Sequence, residues 1–258
     1  MSEARPRGRF VWFDLMTTEP GKAVEFYTKV VGWGTTQWEG TSPYTMWTNE
    51  SLPIGGVMQL PPEAGAPPHW LAYISSPDVD ATVQQAESLG AKVLVAPNDV
   101  PTVGRFAVLS DPQGAVFAIF RPQSQAPGHE GPPAQGEFSW HELATREQPA
   151  AFRFYEALFG WTKTSAMDMG PQGQYQMFGR NEVELGGMYN KGNEIPGPPA
   201  WTHYILVDDI NRAVEATKAG GGQVLNGPME VPGGDWIFQA LDPQGAMFAV
   251  HAKGKPGA

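Results

Sequence analysis

Apolar and polar residues alternate from Phe10 to Thr17, with Phe10, Trp12 and Asp14 on one side and Val11, Phe13 and Leu15 on the other, which predicts a half-buried strand. The period then changes. Ala23, Val24, Phe26, Tyr27, Val30 and Val31 recur at helical spacing, and the stripe stops at Gly32, a residue suited to the left-handed cap. Thr17-Thr18 offers a hydroxyl cap, and Pro20 suits the first turn, where its missing N–H costs nothing. Three short strands are expected next, around 35–39, 44–48 and 54–60. Gly55-Gly56 in the last of them predicts a bulge or a close backbone approach. The unit is β-α-β-β-β.

After the stiff connector Pro61-Pro62 to Pro67-Pro68, the same order begins again. A strand is predicted over 70–75 and a helix over 77–89 with Val79, Val83, Ala86 and Leu89 on one side. A short strand over 92–95 follows, then a loop containing Pro97, Asn98 and Pro101. The strands 105–109 and 115–120 make a hairpin closed by Asp111-Pro112-Gln113-Gly114, whose aspartate, proline and glycine suit a tight turn.

The second half of the chain repeats the first. Trp12 matches Trp140, Phe26-Tyr27 matches Phe154-Tyr155, and Gly32-Trp33 matches Gly160-Trp161. Tyr44 matches Tyr175, Gly55-Gly56 matches Gly186-Gly187, Trp70 matches Trp201, and Asp111-Pro-Gln-Gly matches Asp242-Pro-Gln-Gly. The second copy carries three more residues between Trp161 and Tyr175. Residues 123–136, rich in proline, glycine and small polar residues, have nothing to bury and read as a linker. The expected organisation is therefore α+β, with one domain over 8–122, the linker, and a second domain over 137–252. The ends, 1–9 and 253–258, are expected to fray.

With 258 residues, each half is long enough to bury a core. The net charge is −10, and the lysines and arginines do not cluster, which argues against nucleic acid or an anionic membrane as partner. The absence of cysteine removes disulfides, thiolate metal sites and cysteine nucleophiles. No apolar run approaches the length of a signal peptide or a membrane span. The expectation is a cytoplasmic monomer or homodimer that handles a small molecule.

Four β-α-β-β-β units, Phe-Tyr and Gly-Trp around the first helix of each half, the Trp140-His-Glu-Leu143 strand and the Gly104–Gly114 hairpin with its DPQG turn together resemble the vicinal oxygen chelate superfamily. That superfamily includes glyoxalase I, bleomycin and fosfomycin resistance proteins and extradiol dioxygenases. The resemblance implies that paired units curve a mixed sheet into an open cup with the helices outside. It also implies metal ligands at fixed strand positions, which fall here at Trp12, Trp140, Ala118, Ala249 and near Leu71 and Thr202. None of these can bind a metal, so no cofactor is expected. Should a divalent metal be present, the remaining donors are His141, His203, His251, Glu142 and Glu184 in the second domain. Alternation turns His141 and His203 toward the helices and leaves His251 in phase with Ala249. His69 reads as a strand-edge residue and His129 as a solvated linker residue.

The candidate catalytic pair is Asp14 and Glu142, two residues after the matched tryptophans and on the same strand face. A carboxylate there can serve as a base or accept a hydrogen bond from a ligand. The structural alternative is a backbone cap or an ion pair, for example with Arg105. Trp12, Trp140, Tyr73 and Tyr204 are the candidate ligand-binding residues, and equally they fit a packed core. Three functions stay open: a metal-free binder or processor of a small, partly apolar molecule; a metal-dependent lyase or dioxygenase using the second domain; and a protein-interaction module.

Overall fold

A computed structural model describes residues 7–40, 43–124, 131–193 and 197–254. The first module runs β1 (Phe10–Thr17), α1 (Pro20–Val31), β2 (Gly34–Glu39), β3 (Pro43–Asn49) and β4 (Leu52–Gln59). The second runs β5 (His69–Ser75), α2 (Val79–Ser88), β6 (Lys92–Val100), β7 (Gly104–Ser110) and β8 (Val116–Pro122). The third is β9 (Phe138–Thr145), α3 (Gln148–Phe159), β10 (Thr162–Asp168), β11 (Gln174–Arg180) and β12 (Val183–Asn190). The fourth is β13 (Ala200–Val207), α4 (Ile210–Ala219), β14 (Gln223–Glu230), β15 (Trp236–Leu241) and β16 (Met247–Ala252). Each half forms an eight-stranded sheet, ordered β2-β3-β4-β1-β5-β8-β7-β6 and β10-β11-β12-β9-β13-β16-β15-β14. The sheets are mixed: β1 with β4 and β5 with β8 run parallel, and the hairpins run antiparallel.

Local chemistry explains the boundaries. Pro20 opens α1, and Gly32 closes it in the left-handed conformation at φ 80°, as Gly160 closes α3 at φ 69°. The threonine cap does not form. Glu19 is the capping residue of α1 and makes no side-chain cap bond. The α2 and α4 helices are capped in the expected manner, by Asp78 onto Ala81 N–H and by Asp209 onto Asn211 and Arg212 N–H. The expected loop around Pro97 is instead the continuation of β6, which absorbs the proline through register shifts between Val93 and Asn98.

The compact units cut across the two halves. One, the α2/α3 unit, comprises the described residues of Met1–Trp12, Ala72–Gly131 and His141–Trp201. Its core joins Ile74, Val83, Leu109 and Phe117 to Phe152, Tyr155, Leu158 and Trp161. The other, the α1/α4 unit, comprises the described residues of Phe13–Leu71, Pro132–Trp140 and Thr202–Ala258. Its core joins Leu15, Phe26, Tyr27 and Trp47 to Ile205, Val214, Phe238 and Phe248. Each unit therefore takes one module from each copy of the repeat. Burying a single large apolar side chain is worth about 1.5–3 kcal/mol, so these shared cores dominate the stability.

The repeated motifs are the fastenings of these units. In the α2/α3 unit, Asp111 Oδ1 accepts from the N–H groups of Gln113, Gly114 and Ala115 at 2.8, 2.8 and 3.0 Å. Its Oδ2 accepts from the Tyr155 hydroxyl at 3.0 Å, and Trp201 Nε1 donates to that hydroxyl at 3.1 Å. In the α1/α4 unit, Tyr27 donates to Asp242 at 3.2 Å and accepts from Trp70 Nε1 at 3.1 Å. The tryptophans of the two Gly-Trp pairs do the same kind of work, Trp161 Nε1 donating to Gly8 O at 2.8 Å and Trp33 Nε1 to Gly136 O at 2.7 Å. Residues 7–9 are thus tied down rather than frayed: Gly8 N–H also bonds Ser75 O, and Arg7 Nε donates to Leu158 O at 2.7 Å. Residues 1–6 and 255–258, and His129 with the linker segment 125–130, lie outside the described residues. No helix among the described residues is long and apolar enough to cross a membrane.

Candidate functional site

Strand register builds two matching faces. On β1 and β4, Asp14 pairs with Gly56 and Met16 with Met58. Met46 of β3 lies beside Gly56, and Thr36 and Trp38 of β2 lie beside Met46 and Tyr44. Leu15, Trp47 and Val57 point the other way, into the core under α1. Asp14, Gly56, Tyr44 and the methionines therefore occupy the face opposite α1. The third module repeats this arrangement. Glu142 pairs with Gly187, Met177 lies beside Gly187, and Ala144 pairs with Tyr189, while Leu143, Phe178 and Met188 enter the core under α3.

On each face a tyrosine hydroxyl reaches across the glycine to the carboxylate. Tyr175 donates to Glu142 Oε2 at 3.0 Å, and Tyr44 donates to Asp14 Oδ1. The glycine is required for the approach: a Cβ on Gly187 would lie 2.0 Å from the Tyr175 ring, and one on Gly56 would lie 1.9 Å from the Tyr44 hydroxyl. Gly187→Ala is therefore expected to swing the Tyr175 ring aside and break its bond to Glu142. The check is the tyrosine hydroxyl or ring resonance of Tyr175 by NMR, which should shift while the core resonances of Phe178 and Met188 stay in place. The neighbouring Gly55 and Gly186 serve the backbone, since a Cβ there would meet Phe13 O at 2.1 Å and His141 O at 1.8 Å.

The two faces differ in their apolar surroundings. Tyr189 stacks on Tyr175 at 6.0 Å and an interplanar angle of 17°. Burial raises the Tyr189 pKa, and the negative charge of Glu142 raises it further. The corresponding residue on the other face is Met58, so that face is lined by flexible thioethers instead.

The other candidate residues are distributed as follows. Trp12 and Trp140 are half-buried on β1 and β9. Tyr73 is half-buried, pairs in register with Ala118 and lies 6.1 Å from the Phe106 ring. Tyr204 is buried, pairs with Ala249 and accepts from Gln239 Nε2 at 2.7 Å. The suggested ion pair with Arg105 does not form at either carboxylate. Arg105 binds Asp80 through two bonds of 2.8 Å and Asp99 through one of 2.9 Å, because its strand lies beside α2 and β6. Sequence reasoning overlooked Tyr44 and Tyr175 as the partners of the acids, although both belong to the repeat, as do the glycines beneath them.

The histidines do not converge with the acids. His141 alternates with Leu143 and lies against Phe10, ring centroids 3.8 Å apart. His203 alternates with the core residue Ile205, and its ring meets Phe13 and Phe138 edge-on at 5.3 and 6.3 Å. His251 is engaged by Ser139 and Asp235 at 2.8 and 2.9 Å. Glu184 accepts from Thr164 at 2.6 Å and from Ser165 at 3.1 Å.

Residues 9–119 and 137–250 match the model of the glyoxalase, bleomycin resistance protein and dioxygenase superfamily. The chain belongs to that superfamily. It is 34% identical over 248 residues to the Mycobacterium tuberculosis protein named "Putative glyoxylase CFP32", covering 93% of this chain and 92% of that one. It is 29% identical over 259 residues to the anthracycline biosynthesis protein DnrV of Streptomyces peucetius, covering 94% and 92%. Among solved structures, the Mn(II)-bound glyoxalase of Novosphingobium aromaticivorans aligns over 98% of this chain and 83% of its own with a TM-score of 0.63 at 14% identity, which is a likeness of fold. Metal binding by such a superfamily fold needs convergent donors. Among the described residues no three His, Asp or Glu side chains come together to hold an ion. In neither unit do the alternative donors, His141, Glu142 and Glu184 in one and His203 and His251 in the other, come together among the described residues in the threes a metal needs.

Proposed function

We propose that this superfamily member binds, and in one or both copies processes, a small and partly apolar molecule on the faces carrying Glu142 and Asp14, without a metal at the usual ligand positions. The observation that carries this reading is the duplicated carboxylate held by a tyrosine across a glycine, Glu142–Tyr175 over Gly187 and Asp14–Tyr44 over Gly56. A carboxylate fixed in this way, beside tyrosine rings on one face and methionines on the other, accepts a hydrogen bond from a ligand donor while the surrounding apolar surface takes the rest of it. The names of the relatives, a glyoxylase and an anthracycline biosynthesis protein, support small-molecule chemistry. The net charge of −10 favours such a partner over nucleic acid or membrane, and a monomer or homodimer suffices for it.

The test is a titration of the full chain with a panel of hydroxyanthraquinones and thiol–dicarbonyl adducts, followed by tryptophan emission with and without a chelator. Binding is expected to persist with chelator present. Glu142→Gln should weaken it at least about tenfold, or roughly 1.4 kcal/mol, with the melting temperature little changed because the shape is kept. Wild-type affinity in both Glu142→Gln and Asp14→Asn would overturn the reading, and strict dependence on added divalent metal would replace it with the lyase or dioxygenase function.

A further inference from the structure

Ser139, His251 and Asp235 form a continuous hydrogen-bonded series within the α1/α4 unit. Ser139 Oγ lies 2.8 Å from His251 Nδ1, and His251 Nε2 lies 2.9 Å from Asp235 Oδ2. Asp235 is steadied from behind, since its Oδ1 accepts from Gly254 N–H at 3.3 Å and its carbonyl accepts from Val231 N–H at 2.8 Å. Three separate segments converge here: the start of β9, the turn before β15 and the end of β16. The His251 side chain is 15% exposed and that of Asp235 38%, so the imidazole is shielded while the series remains open at its acidic end.

The internal repeat supplies a control. The positions corresponding to Ser139, His251 and Asp235 in the first half are Val11, Phe120 and Gly104. Val11 and Phe120 are both buried. The same strands thus fold with two apolar side chains and none at the third position, so the fold does not require the polar series. Ser139 and His251 are half-buried, and Ser139 Oγ also lies 3.3 Å from Tyr204 O, to which it can donate. A hydroxyl–imidazole pair so placed gains little over well-packed apolar side chains, so stability does not account for its presence. On β16, Val250 and Ala252 enter the core, whereas His251 projects to the opposite face with Ala249. The same face carries Tyr204, the register partner of Ala249, with its hydroxyl held by Gln239.

We propose that Ser139, His251 and Asp235 form a nucleophilic site that cleaves small carboxylic esters by acyl transfer. His251 Nδ1 takes the proton of Ser139 as Oγ bonds to the ester carbonyl carbon. The ester C–O bond then breaks, and the departing alcohol leaves with the proton from His251. Water repeats the sequence on the acylated serine, releasing the carboxylic acid and restoring the hydroxyl. Asp235 holds the other ring nitrogen as a donor and stabilises the imidazolium that forms. Serine sits at Nδ1 and the carboxylate at Nε2, the reverse of the serine protease assignment; the chemistry requires only that one nitrogen accept from the hydroxyl while the other donates to the acid.

The experiment treats the full chain with a fluorophosphonate probe, locates the label by peptide mapping, and follows p-nitrophenyl acetate hydrolysis alongside. Labelling of Ser139 and a burst of p-nitrophenol are expected. Ser139→Ala and Ser139→Val, the latter copying the first half, should abolish both and leave the melting curve in place. Asp235→Asn should slow labelling at least about a hundredfold through loss of the correct tautomer. An unlabelled Ser139 in the folded chain, or undiminished labelling in His251→Phe, would overturn the proposal. Probe labelling reads Ser139 alone and the hydroxyanthraquinone titration reads the carboxylate faces, so failure of the ligand-binding reading and failure of this one are distinguishable.

Discussion

Asp111→Ala is expected to lower the unfolding free energy by about 3 kcal/mol, because it leaves several buried neutral donors without their acceptor. Asp111 is 3% exposed, and its carboxylate gathers three backbone N–H groups of its own turn together with the Tyr155 hydroxyl. Alanine leaves the tyrosine without its acceptor in the core and unfastens the last hairpin of the first half from the first helix of the second. Urea unfolding monitored by tryptophan emission measures the loss, and a cost under about 1 kcal/mol would show that the turn holds itself. Asp111→Asn should cost less, because it retains the volume and one acceptor oxygen. Tyr155→Phe should also cost less, about 1 kcal/mol for one hydrogen bond and somewhat more for the Trp201 indole it leaves behind.

Acid should destabilise the protein through His203. Burial among aromatic rings holds its pKa down to about 3, against 6.5 in an exposed histidine. As pH falls below 6.5, the unfolded chain takes up a proton that the folded chain refuses. Stability is therefore lost progressively down to about pH 3, at up to about 1.4 kcal/mol per pH unit. Between pH 7 and pH 4.5 the loss from this one group is expected to be about 3 kcal/mol. Asp111 and Asp242 act in the opposite sense. Burial raises both carboxyl pKa values, so their contribution to stability grows as pH falls through the raised values toward 3.8. The His203 share is isolated by comparing urea midpoints of the wild type and His203→Phe across this range; parallel profiles would refute the assignment.

Much of the fold is legible in the sequence because it depends on neighbours along the chain. The four β-α-β-β-β orders, the glycine stops at Gly32 and Gly160 and the tight Asp-Pro-Gln-Gly turns all rest on local backbone chemistry. The path of β6 through Pro97 is not legible in this way, since the register shifts that accommodate a proline depend on the partner strand. The deeper miss concerns partnership. Alternation tells which side of a strand a residue occupies and says nothing about which module covers that side, so Asp111 reads as a turn residue and Tyr155 as part of a helix stripe. The candidate site shows the same division. Asp14 and Glu142 stand out through their matched positions, and their tyrosine partners emerge only when β1 and β9 are laid beside β4 and β12, with Gly56 and Gly187 in register.

The crossing of the two halves has a consequence for synthesis on the ribosome. Tyr155 meets Asp111 only 44 residues behind it, whereas Tyr27 waits 215 residues for Asp242. The apolar stripe of α1 is made early and its cover from the fourth module comes late, with both modules of the α2/α3 unit translated in the interval. Any pause or truncation late in the message leaves this stripe uncovered while the inner unit is already complete, so nascent chains stalled there present a ready substrate for holding chaperones and proteases.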